Sequence, residues 1–496
     1  MSDASDSIPG TGPESAEGAA RSSASPSSSA ASASSGASTA VALLIAGTFF
    51  MEVLDGSIIT PAIPEIAAGF GVPPVDLNLA VSVYLMTVGV LIPASGWVAE
   101  RFGPRRVFAL AVIVFTVASG LCGLAQTLPT FLGARILQGI GGAMMVPVGR
   151  LMVLRATPKD ELIHAIAWLT WPALLAPVLG PPLGGLISDQ LSWHWIFWIN
   201  LPLGAVALFL IFRILPNPPP KEMDPFDGTG FVLVGLSVGA LLFAAESMGQ
   251  PHVNAVETAV VAAVGAGLAA LAVRHLRRAR APMLRVDAMR IPTFSATVYG
   301  GAFFRMGVSA VPFLVPLMMQ RAFHQSAFRA GLIVMAIFIG NVSIKPFTTP
   351  ILRRFGFRTV LVVNGFLNAA AIGACATFTL DTPLLAIAAL LLVGGMTRSM
   401  QFTALNTLAF ADVEAERMPD ANTVFSTATQ LSRGVGIALG AIGWRLGDFL
   451  APDEAQLLPF RIAFVVVAAV ALLSVIDCWR LRPDSGAVVS RRKIAA

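Results

Sequence analysis

The sequence predicts an all-α integral membrane protein with fourteen transmembrane helices, arranged as two pseudo-symmetric six-helix bundles plus two linker helices. Hydrophobic residues make up 55% of the 496-residue chain and charged residues only 12%, whereas a soluble protein carries roughly 25% charged residues. The apolar residues come in runs long enough to cross a bilayer as helices. A loop motif and a glycine pair also recur at one spacing in the chain. These observations predict a lipid-embedded protein built from two equivalent halves.

Fourteen apolar segments of helix length account for the predicted spans. Lys and Arg concentrate in the loops on the side of the amino terminus, and the positive-inside rule then places both termini in the cytoplasm. Arginine strongly outnumbers lysine, as is typical of GC-rich bacteria, so we expect a multi-pass protein of a bacterial inner membrane. The spans are predicted at 41–62, 77–99, 105–126, 129–154, 161–188, 194–215, 228–247, 255–276, 293–319, 327–350, 358–379, 383–411, 420–447 and 458–481.

An internal repeat relates the two halves of the chain. The segment 100–107 follows span 2 and the similar segment 353–360 follows span 10, so that Gly103 and Gly356 are 253 positions apart. A Gly-Gly pair at 141–142 recurs at 394–395 with the same spacing. Such half-repeats are typical of transporters that rock about a central site. The predicted domains are a disordered cytoplasmic tail at 1–40, an N-terminal six-helix bundle at 41–215, a linker with two extra helices at 216–276, a C-terminal six-helix bundle at 277–481 and a basic cytoplasmic tail at 482–496.

The sequence argues against three other classes of protein. The net charge of +5 does not indicate nucleic-acid binding, because the charges lie in short loops between apolar segments. No lysine directly follows a glycine, so the phosphate-binding loop of a nucleotide-driven pump is absent from the sequence. The histidines are scattered and form no HExxH motif, so we expect neither an enzyme nor a bound metal or cofactor.

Four motifs carry a resemblance to a known family. The loop after span 2 reads GWVAERFGPRR (96–106), span 4 contains ARILQGIGGA (134–143) and span 5 contains APVLGPPLGG (176–185). Together with LDGSIITPAIP at 54–64, these segments resemble the major facilitator superfamily, and within it the fourteen-span drug:proton antiporters. The resemblance covers residues 41–481. The chain departs from the family pattern at Glu100, where aspartate is usual, and at Ala176, where glycine is usual.

The resemblance implies roles for the motif residues. In the family, ion pairs of the loop after span 2 hold one access state and break in the other, and the span 5 motif marks exporters. The implied gating loop comprises Gly96, Glu100, Arg101, Gly103, Arg105 and Arg106. The implied antiporter motif comprises Pro177, Gly180, Pro181, Gly184 and Gly185.

The resemblance also implies an activity. We expect a secondary active efflux transporter for drugs or other small molecules, which works in the lipid bilayer by proton antiport, with the proton gradient in place of a cofactor. A proton-coupled importer or facilitator of an organic anion on the same fold is the alternative. The need for an adaptor protein stays open, although the predicted loop at 448–457 is short, which argues against one.

Charged residues inside the spans are costly in lipid and are therefore candidate functional sites. Glu52 and Asp55 are three residues apart on span 1 and share a helix face. Asp55 and Arg135 lie at a similar depth, so they can meet if spans 1 and 4 both line the cavity. A carboxylate that leaves water binds a proton more readily, and a nearby arginine opposes this. We predict that Asp55, together with Glu52, carries the coupling proton and that Arg135 tunes it; a fixed structural ion pair is the alternative.

Three arginines, Arg305, Arg398 and Arg433, lie within spans of the second half, and no carboxylate falls in the cores of spans 9 to 13 to neutralise them. Uncompensated charge in lipid indicates a water-filled cavity or an anionic ligand. We therefore predict a substrate cavity lined by these arginines and by Met144, whose flexible side chain suits varied ligands. This pattern favours an organic anion as the substrate. Pairing with helix C-terminal carbonyls or with acids of the first half is the alternative.

Overall fold

A computed structural model shows an all-helical chain. It describes residues 27–73, 76–217, 219–220, 222–248, 254–450 and 456–490, and no strand occurs in these ranges. Parts of four predicted segments lie outside the described residues: 1–26 of the amino-terminal tail, 218, 221 and 249–253 of the linker at 216–276, 451–455 of the loop at 448–457, and 491–496 of the basic tail. The first helix begins at Ser27, so residues 27–40 of the predicted disordered tail are helical. Extending an existing helix into an Ala/Ser segment needs no new nucleation, which accounts for this difference.

The helices follow the predicted spans closely. A 3-10 turn at Ile92–Ala94 divides span 2 into two helices, because Pro93 has no backbone N–H to continue the α-helix. In the first half and the linker, the helices are α1 (Ser27–Ile58), α2 (Ile63–Phe70), α3 (Asn78–Leu91), α4 (Ser95–Phe102), α5 (Pro104–Cys122), α6 (Leu128–Ala156), α7 (Leu162–Gln190), α8 (His194–Trp198), α9 (Asn200–Ile214), α10 (Gly228–Ser247) and α11 (Ala255–Arg278).

The second half has the same order of long helices. Span 10 is divided in two at Ile344, where the axes of the two parts differ by 51°. The helices are α12 (Pro292–Arg321), α13 (Ala327–Ser343), α14 (Lys345–Phe355), α15 (Phe357–Ala374), α16 (Leu384–Ala411), α17 (Met418–Leu450), α18 (Leu458–Trp479) and α19 (Ala487–Ser490).

The structure contains fewer candidate membrane spans than the fourteen predicted. Within the described residues, 11 helices are long and apolar enough to cross a membrane, or up to 13 if the bent pairs in spans 5 and 10 each count as one span. The predicted span 13 corresponds to α17, which is not among them. This helix carries Asp420, Arg433, Arg445 and Asp448 besides many hydroxyl residues and glycines. The all-helical, multi-pass architecture is confirmed, whereas the count of fourteen stays a prediction.

The sequence repeat has a counterpart in the backbone. Gly103 and Gly356 have positive φ angles of 90° and 78°, and each immediately precedes a long helix, α5 or α15. Glycine adopts this region of backbone space without the steric cost that a side chain would add. Both turns lie at the same end of the bundle, which we call the glycine-turn end.

The repeated Gly-Gly pairs also make equivalent contacts. Gly141 packs against α5 and Gly142 against α3, while their counterparts Gly394 and Gly395 pack against α15 and α13. A Cβ atom at Gly141 or Gly395 would meet backbone atoms of the neighbouring helix. The close approach of α6 to α3 and α5 is therefore repeated by α16 against α13 and α15.

The first and second sets of helices are joined near the glycine-turn end. Asn422 Nδ2 on α17 donates to the Pro147 carbonyl of α6 at 2.7 Å. Arg150 Nη1 on α6 donates to Ser426 Oγ on α17 at 3.3 Å. These residues lie in the part of α6 that precedes its carboxyl end and in the first turns of α17, so the two halves touch at this end of the bundle.

Two lateral seams separate the halves, and they are built differently. At the first, α3 and α4 face α17, and the linker helix α10 packs on both α3 and α17, with the Leu242 side chain between Gly89 and Gly434. At the second, which we call the α7 seam, α7 contacts α13, α14 and α16. Lys345 Nζ on α14 bridges this seam by donating to Thr170 Oγ1 on α7 at 2.9 Å.

Candidate proton-coupling and substrate sites

Asp55 lies in a buried cluster in which both of its carboxylate oxygens accept hydrogen bonds. Arg135 Nη1 donates to Asp55 Oδ2 at 2.7 Å, and Gln138 Nε2 and Asn200 Nδ2 each donate to Asp55 Oδ1 at 2.9 Å. The side chains of Asp55 and Arg135 have no exposed surface. The structure thus brings the predicted partners on spans 1 and 4 together and adds a third helix, α9, to the contact. A carboxylate with three donors from two other helices ties α1 to the rest of the first half.

The neighbours of the cluster fix its geometry. Ser119 Oγ on α5 accepts from Asn200 Nδ2 at 2.9 Å and donates to the Phe197 carbonyl at 2.9 Å. The Arg135 guanidinium lies over the ring of Tyr84, with Cζ 4.6 Å from the centroid. Sequence reasoning missed Gln138, although it follows Arg135 by one helical turn on the same face. Asn200 and Ser119 had no such signal, because only tertiary packing brings α5 and α9 to α1.

Glu52 has a different setting from Asp55. It is half-buried one turn earlier on α1, and its Oε2 atom has no hydrogen-bond partner among the described residues. Gly142 makes room for it, since a Cβ atom there would lie 3.4 Å from Glu52 Oε1. Glu52 also interacts electrostatically with Arg433 of the second half. The two acids predicted to act together therefore face different partners, Asp55 within the first half and Glu52 across the centre.

Arg305 retains unused hydrogen-bond donors at a buried position. Its side chain is 1% exposed, and its Nε and Nη2 atoms have no partner in the described part of the chain. Its Cζ lies 4.5 Å from the ring centroid of Phe425, and Arg150 Cζ lies 5.4 Å from the same centroid. Cation–π contact contributes about 0.5–2 kcal/mol but satisfies no N–H group. Arg305 is therefore available to bind an anion.

Arg433 marks an internal space between the halves. It is exposed, yet it interacts with Glu52 of α1 and repels Arg150 of α6, Arg305 of α12 and Arg398 of α16. An exposed side chain with charged neighbours on four helices lines a cavity and not the outer surface. Arg305 and Arg398, together with Arg150, thus all lie within electrostatic range of Arg433.

The two remaining residues predicted for the substrate cavity, Arg398 and Met144, are less exposed than Arg433. Arg398 is half-buried beside Phe402, 5.8 Å from the ring centroid, and its Nε and Nη1 atoms have no partner among the described residues. Met144 is half-buried and packs against the main apolar cluster. Its contacts are those of a packing residue, and its role in substrate binding stays a prediction.

The gating loop connects three helices near the glycine-turn end. Glu100, in the last turn of α4, is buried and pairs with Arg155 Nη2 of α6 at 2.6 Å. Gly96 of α4 lies against Pro419 and Thr423 of α17, where a Cβ atom would displace the threonine side chain. The loop therefore supplies one of the contacts between the halves.

The basic residues of the loop divide into two kinds. Arg105 Nη2 donates to the Phe212 carbonyl of α9 at 2.6 Å and its guanidinium lies over the Phe212 ring. Arg101 and Arg106 are exposed. Arg105 thus anchors the start of α5 to α9, whereas the two exposed arginines are placed as positive-inside anchors would be.

We expect Glu100→Gln to loosen the glycine-turn end, because Arg155 loses its carboxylate partner. Breaking one side of a buried ion pair costs about 3–5 kcal/mol, and the partial exposure of Arg155 lowers that figure. Cysteine introduced at Thr423 should then react several-fold faster with a polar maleimide; the three natural cysteines are buried. Glu222→Gln, which changes an exposed acid near the same end, is the control. Equal labelling rates in both variants would contradict the gate.

The antiporter motif brings α7 against α1. A Cβ atom at Gly180 would meet Ser57, and one at Gly184 would meet the Ile58 carbonyl. Ser57 Oγ in turn donates to the Ala176 carbonyl at 3.3 Å. The remaining motif members, Pro177, Pro181 and Gly185, also lie in α7. The small residues thus set the distance between α7 and the helix that carries Asp55.

These features define a class of protein. Helices of membrane length form two matching sets, and charged side chains of both sets face an internal space between them. Buried charge around a cavity at the interface of two half-repeats is the arrangement of a multi-pass membrane transporter. Within the described residues, no group of three or more His, Cys, Asp or Glu side chains could hold a metal ion.

The sequence profile of the Major Facilitator Superfamily matches residues 45–437 and 300–495, and the chain belongs to that superfamily. It is therefore a transporter and not an enzyme. The multidrug resistance protein MdtD of Salmonella paratyphi A is 34% identical over 466 residues, which cover 91% of this chain and 97% of the relative. MdtD of Pectobacterium atrosepticum is 35% identical over 417 residues, covering 83% of this chain and 88% of the relative.

A solved structure shares the fold. The human organic anion transporter MFSD10 (TETRAN) superposes with a TM-score of 0.63 over 90% of this chain and 98% of that protein. The sequences are 14% identical, so the likeness shows the fold alone.

Proposed function

We propose that the chain is a secondary active multidrug efflux transporter that exchanges a small-molecule substrate for protons by alternating access. Its MdtD relatives are described as multidrug resistance proteins, which supports efflux. In this proposal the protein lies in the bacterial inner membrane with both termini in the cytoplasm. The two bundles at 41–215 and 277–481 move relative to each other, and the linker at 216–276 joins them.

The buried Asp55 carboxylate is the observation that carries proton coupling. It holds α1 to α6 and α9 through Arg135, Gln138 and Asn200. Protonation removes the charge that binds Arg135, whose Nη1 atom then keeps the Gln138 Oε1 contact at 2.6 Å. A proton on Asp55 thus weakens the attachment of α1, and formation of the pair expels the proton. Such a difference in binding between two conformations is what coupling requires.

The contacts at the glycine-turn end support a conformation closed on that side. Asn422 and Ser426 of α17 bond to α6, and Gly96 of α4 packs on α17. With the termini in the cytoplasm, the glycine-turn end faces the cytoplasm. The conformation is then closed inward, as an exporter is when it releases its substrate outward.

The central arginines favour an organic anion among the substrates. Arg305 and Arg398 have unpartnered N–H groups, and Arg433 repels both of them, while Glu52 is the acid that interacts with Arg433. Excess positive charge in a site screened from bulk water is stabilised by an anionic ligand. MFSD10 is described as an organic anion transporter, but its likeness is one of fold, so the arginines alone support this part of the proposal.

We expect Arg305→Gln to weaken the binding of an organic carboxylate by about 10- to 100-fold, the range for losing a hydrogen bond to a charged group. Isothermal titration with the purified protein measures the change. Arg329→Gln removes an exposed arginine at the opposite end of the bundle and should leave the affinity unchanged. Equal affinities for the wild type and Arg305→Gln would contradict the anion site.

Proton-gradient-driven flux in proteoliposomes tests the proposed function. A panel of lipophilic carboxylates and lipophilic cations is loaded, and an imposed pH gradient supplies the driving force. Exchange predicts substrate movement opposite to the protons. Movement in the same direction would identify an importer, and transport restricted to cations would contradict the anion preference.

A further inference from the structure

The α7 seam contains a cavity that the proposed transport mechanism does not use. Its volume is about 470 Å³, within the range of about 300–1,000 Å³ that is usual for small-molecule sites. It lies between helices of the two halves and has mostly apolar walls with three polar side chains. The lining comprises Ala167, Trp168, Val342 and Pro346, with His164, Lys345 and Thr349 as the polar members.

Lys345 places an amino group in this cavity that has no carboxylate partner among the described residues. Its ammonium group has three N–H donors, and two of them bond to Thr170 Oγ1 and Thr403 Oγ1, each at 2.9 Å. Both partners are neutral hydroxyls, and no ion pair of Lys345 with a carboxylate occurs within the described residues. A lysine at membrane depth is costly unless it meets an anion or water. The third donor is therefore available to a ligand.

The walls of the cavity indicate where the ligand comes from. Trp168 is 37% exposed, and Pro346 and Phe347 of α14 are also exposed. Trp168 Nε1 donates to His164 Nε2 at 2.7 Å, which holds the indole at the cavity wall. The first seam is covered by α10, whereas the helices of the α7 seam present apolar residues at the surface of the bundle. An apolar wall at the lipid-facing surface with one cation inside suits an amphiphile with an anionic head.

We propose that the α7 seam is a binding site for an amphiphilic carboxylate that partitions into the bilayer, with Lys345 binding the carboxylate and Trp168 contacting the apolar chain. Because Lys345 also bonds to α7 and α16, the ligand binds beside the contacts that hold the seam together. The site offers bilayer-dissolved acids access to the interface between the halves, and this role rests on the proposed function. Binding itself is measured without a proton gradient, so that failure of transport and failure of the site are distinguishable.

Tryptophan quenching by 9,10-dibromostearate tests the site in phosphatidylcholine nanodiscs that hold the full chain. The Trp168 signal is the difference between the quenching curves of the wild type and Trp168→Phe. We expect saturable quenching whose half-maximal concentration rises at least about tenfold in Lys345→Gln and changes little in Lys345→Arg, as expected for loss and retention of a charge-assisted bond. Lys159→Gln removes an exposed lysine just before α7 and should leave the curve unchanged.

The outcomes separate the alternatives. Equal quenching by the methyl ester of dibromostearate would overturn the proposal, because the ester has no charge for Lys345 to bind. An unchanged midpoint in Lys345→Gln would also overturn it. Quenching by brominated phosphatidylglycerol and not by dibromostearate would assign the site to a lipid head group and overturn the assignment to a free acid.

Discussion

Replacing Asp55 with asparagine is expected to abolish proton-driven transport. Asparagine cannot take up or release a proton, and its amide group would place a donor beside the Arg135 guanidinium. Arg135 is fully buried and would lose its counter-charge, which costs about 3–5 kcal/mol when one partner of a buried pair is removed. Flux in proteoliposomes under an imposed pH gradient measures the first effect, and the thermal unfolding midpoint of the purified protein measures the second.

A double variant separates the two effects. Asp55→Asn combined with Arg135→Gln removes both charges, so the unfolding midpoint should recover most of its loss. Proton-driven flux should stay at background, because no titratable group replaces Asp55. Glu52→Gln, one turn away and outside the cluster, tests whether the second acid shares the role. If either Asp55 variant retained proton-driven flux, Asp55 would be a structural residue and Glu52 the remaining candidate.

The second large effect is expected for Gly184→Ala in the antiporter motif. A methyl group there meets the Ile58 carbonyl, so α7 must move away from α1. Overpacking a close contact typically costs about 1–3 kcal/mol, and a backbone carbonyl yields less than a flexible side chain. We expect transport to fall below one tenth of the wild-type rate, about the loss that 1.4 kcal/mol represents, since the shift displaces the helix that carries Asp55.

Gly185→Ala is the matched comparison. It changes the next residue of the same motif, but a Cβ atom at Gly185 meets no atom within 4 Å. Transport by this variant should stay near the wild-type rate. The sequence motif treats both glycines alike, so equal loss in the two variants would show that the motif acts through something other than the α1–α7 contact.

Much of the architecture could be predicted from composition and spacing. The apolar runs predicted the helices because the backbone N–H and C=O groups of a segment in lipid must form their hydrogen bonds within that segment. The repeat placed Gly103 and Gly356 at equivalent positions, and in the structure both form turns whose backbone conformation favours glycine. The positions of Asp55 and Arg135 along their helices predicted that the two residues could meet. The fixed rise per residue converts a sequence position into a depth in the membrane, provided that the ends of the helix can be recognised in the sequence.

The sequence by itself thus determined a multi-pass helical protein with two matching sets of helices and charges buried in lipid, because hydropathy and helix geometry act locally along the chain. Only the tertiary structure decided which side chains of other helices each charged residue contacts. Asn200 reached Asp55, Phe425 came to lie beneath Arg305, and Lys345 bridged the α7 seam, because each contact joins helices far apart in the chain. Packing of helix faces sets such contacts, and no periodicity within a single helix encodes which neighbour it will meet.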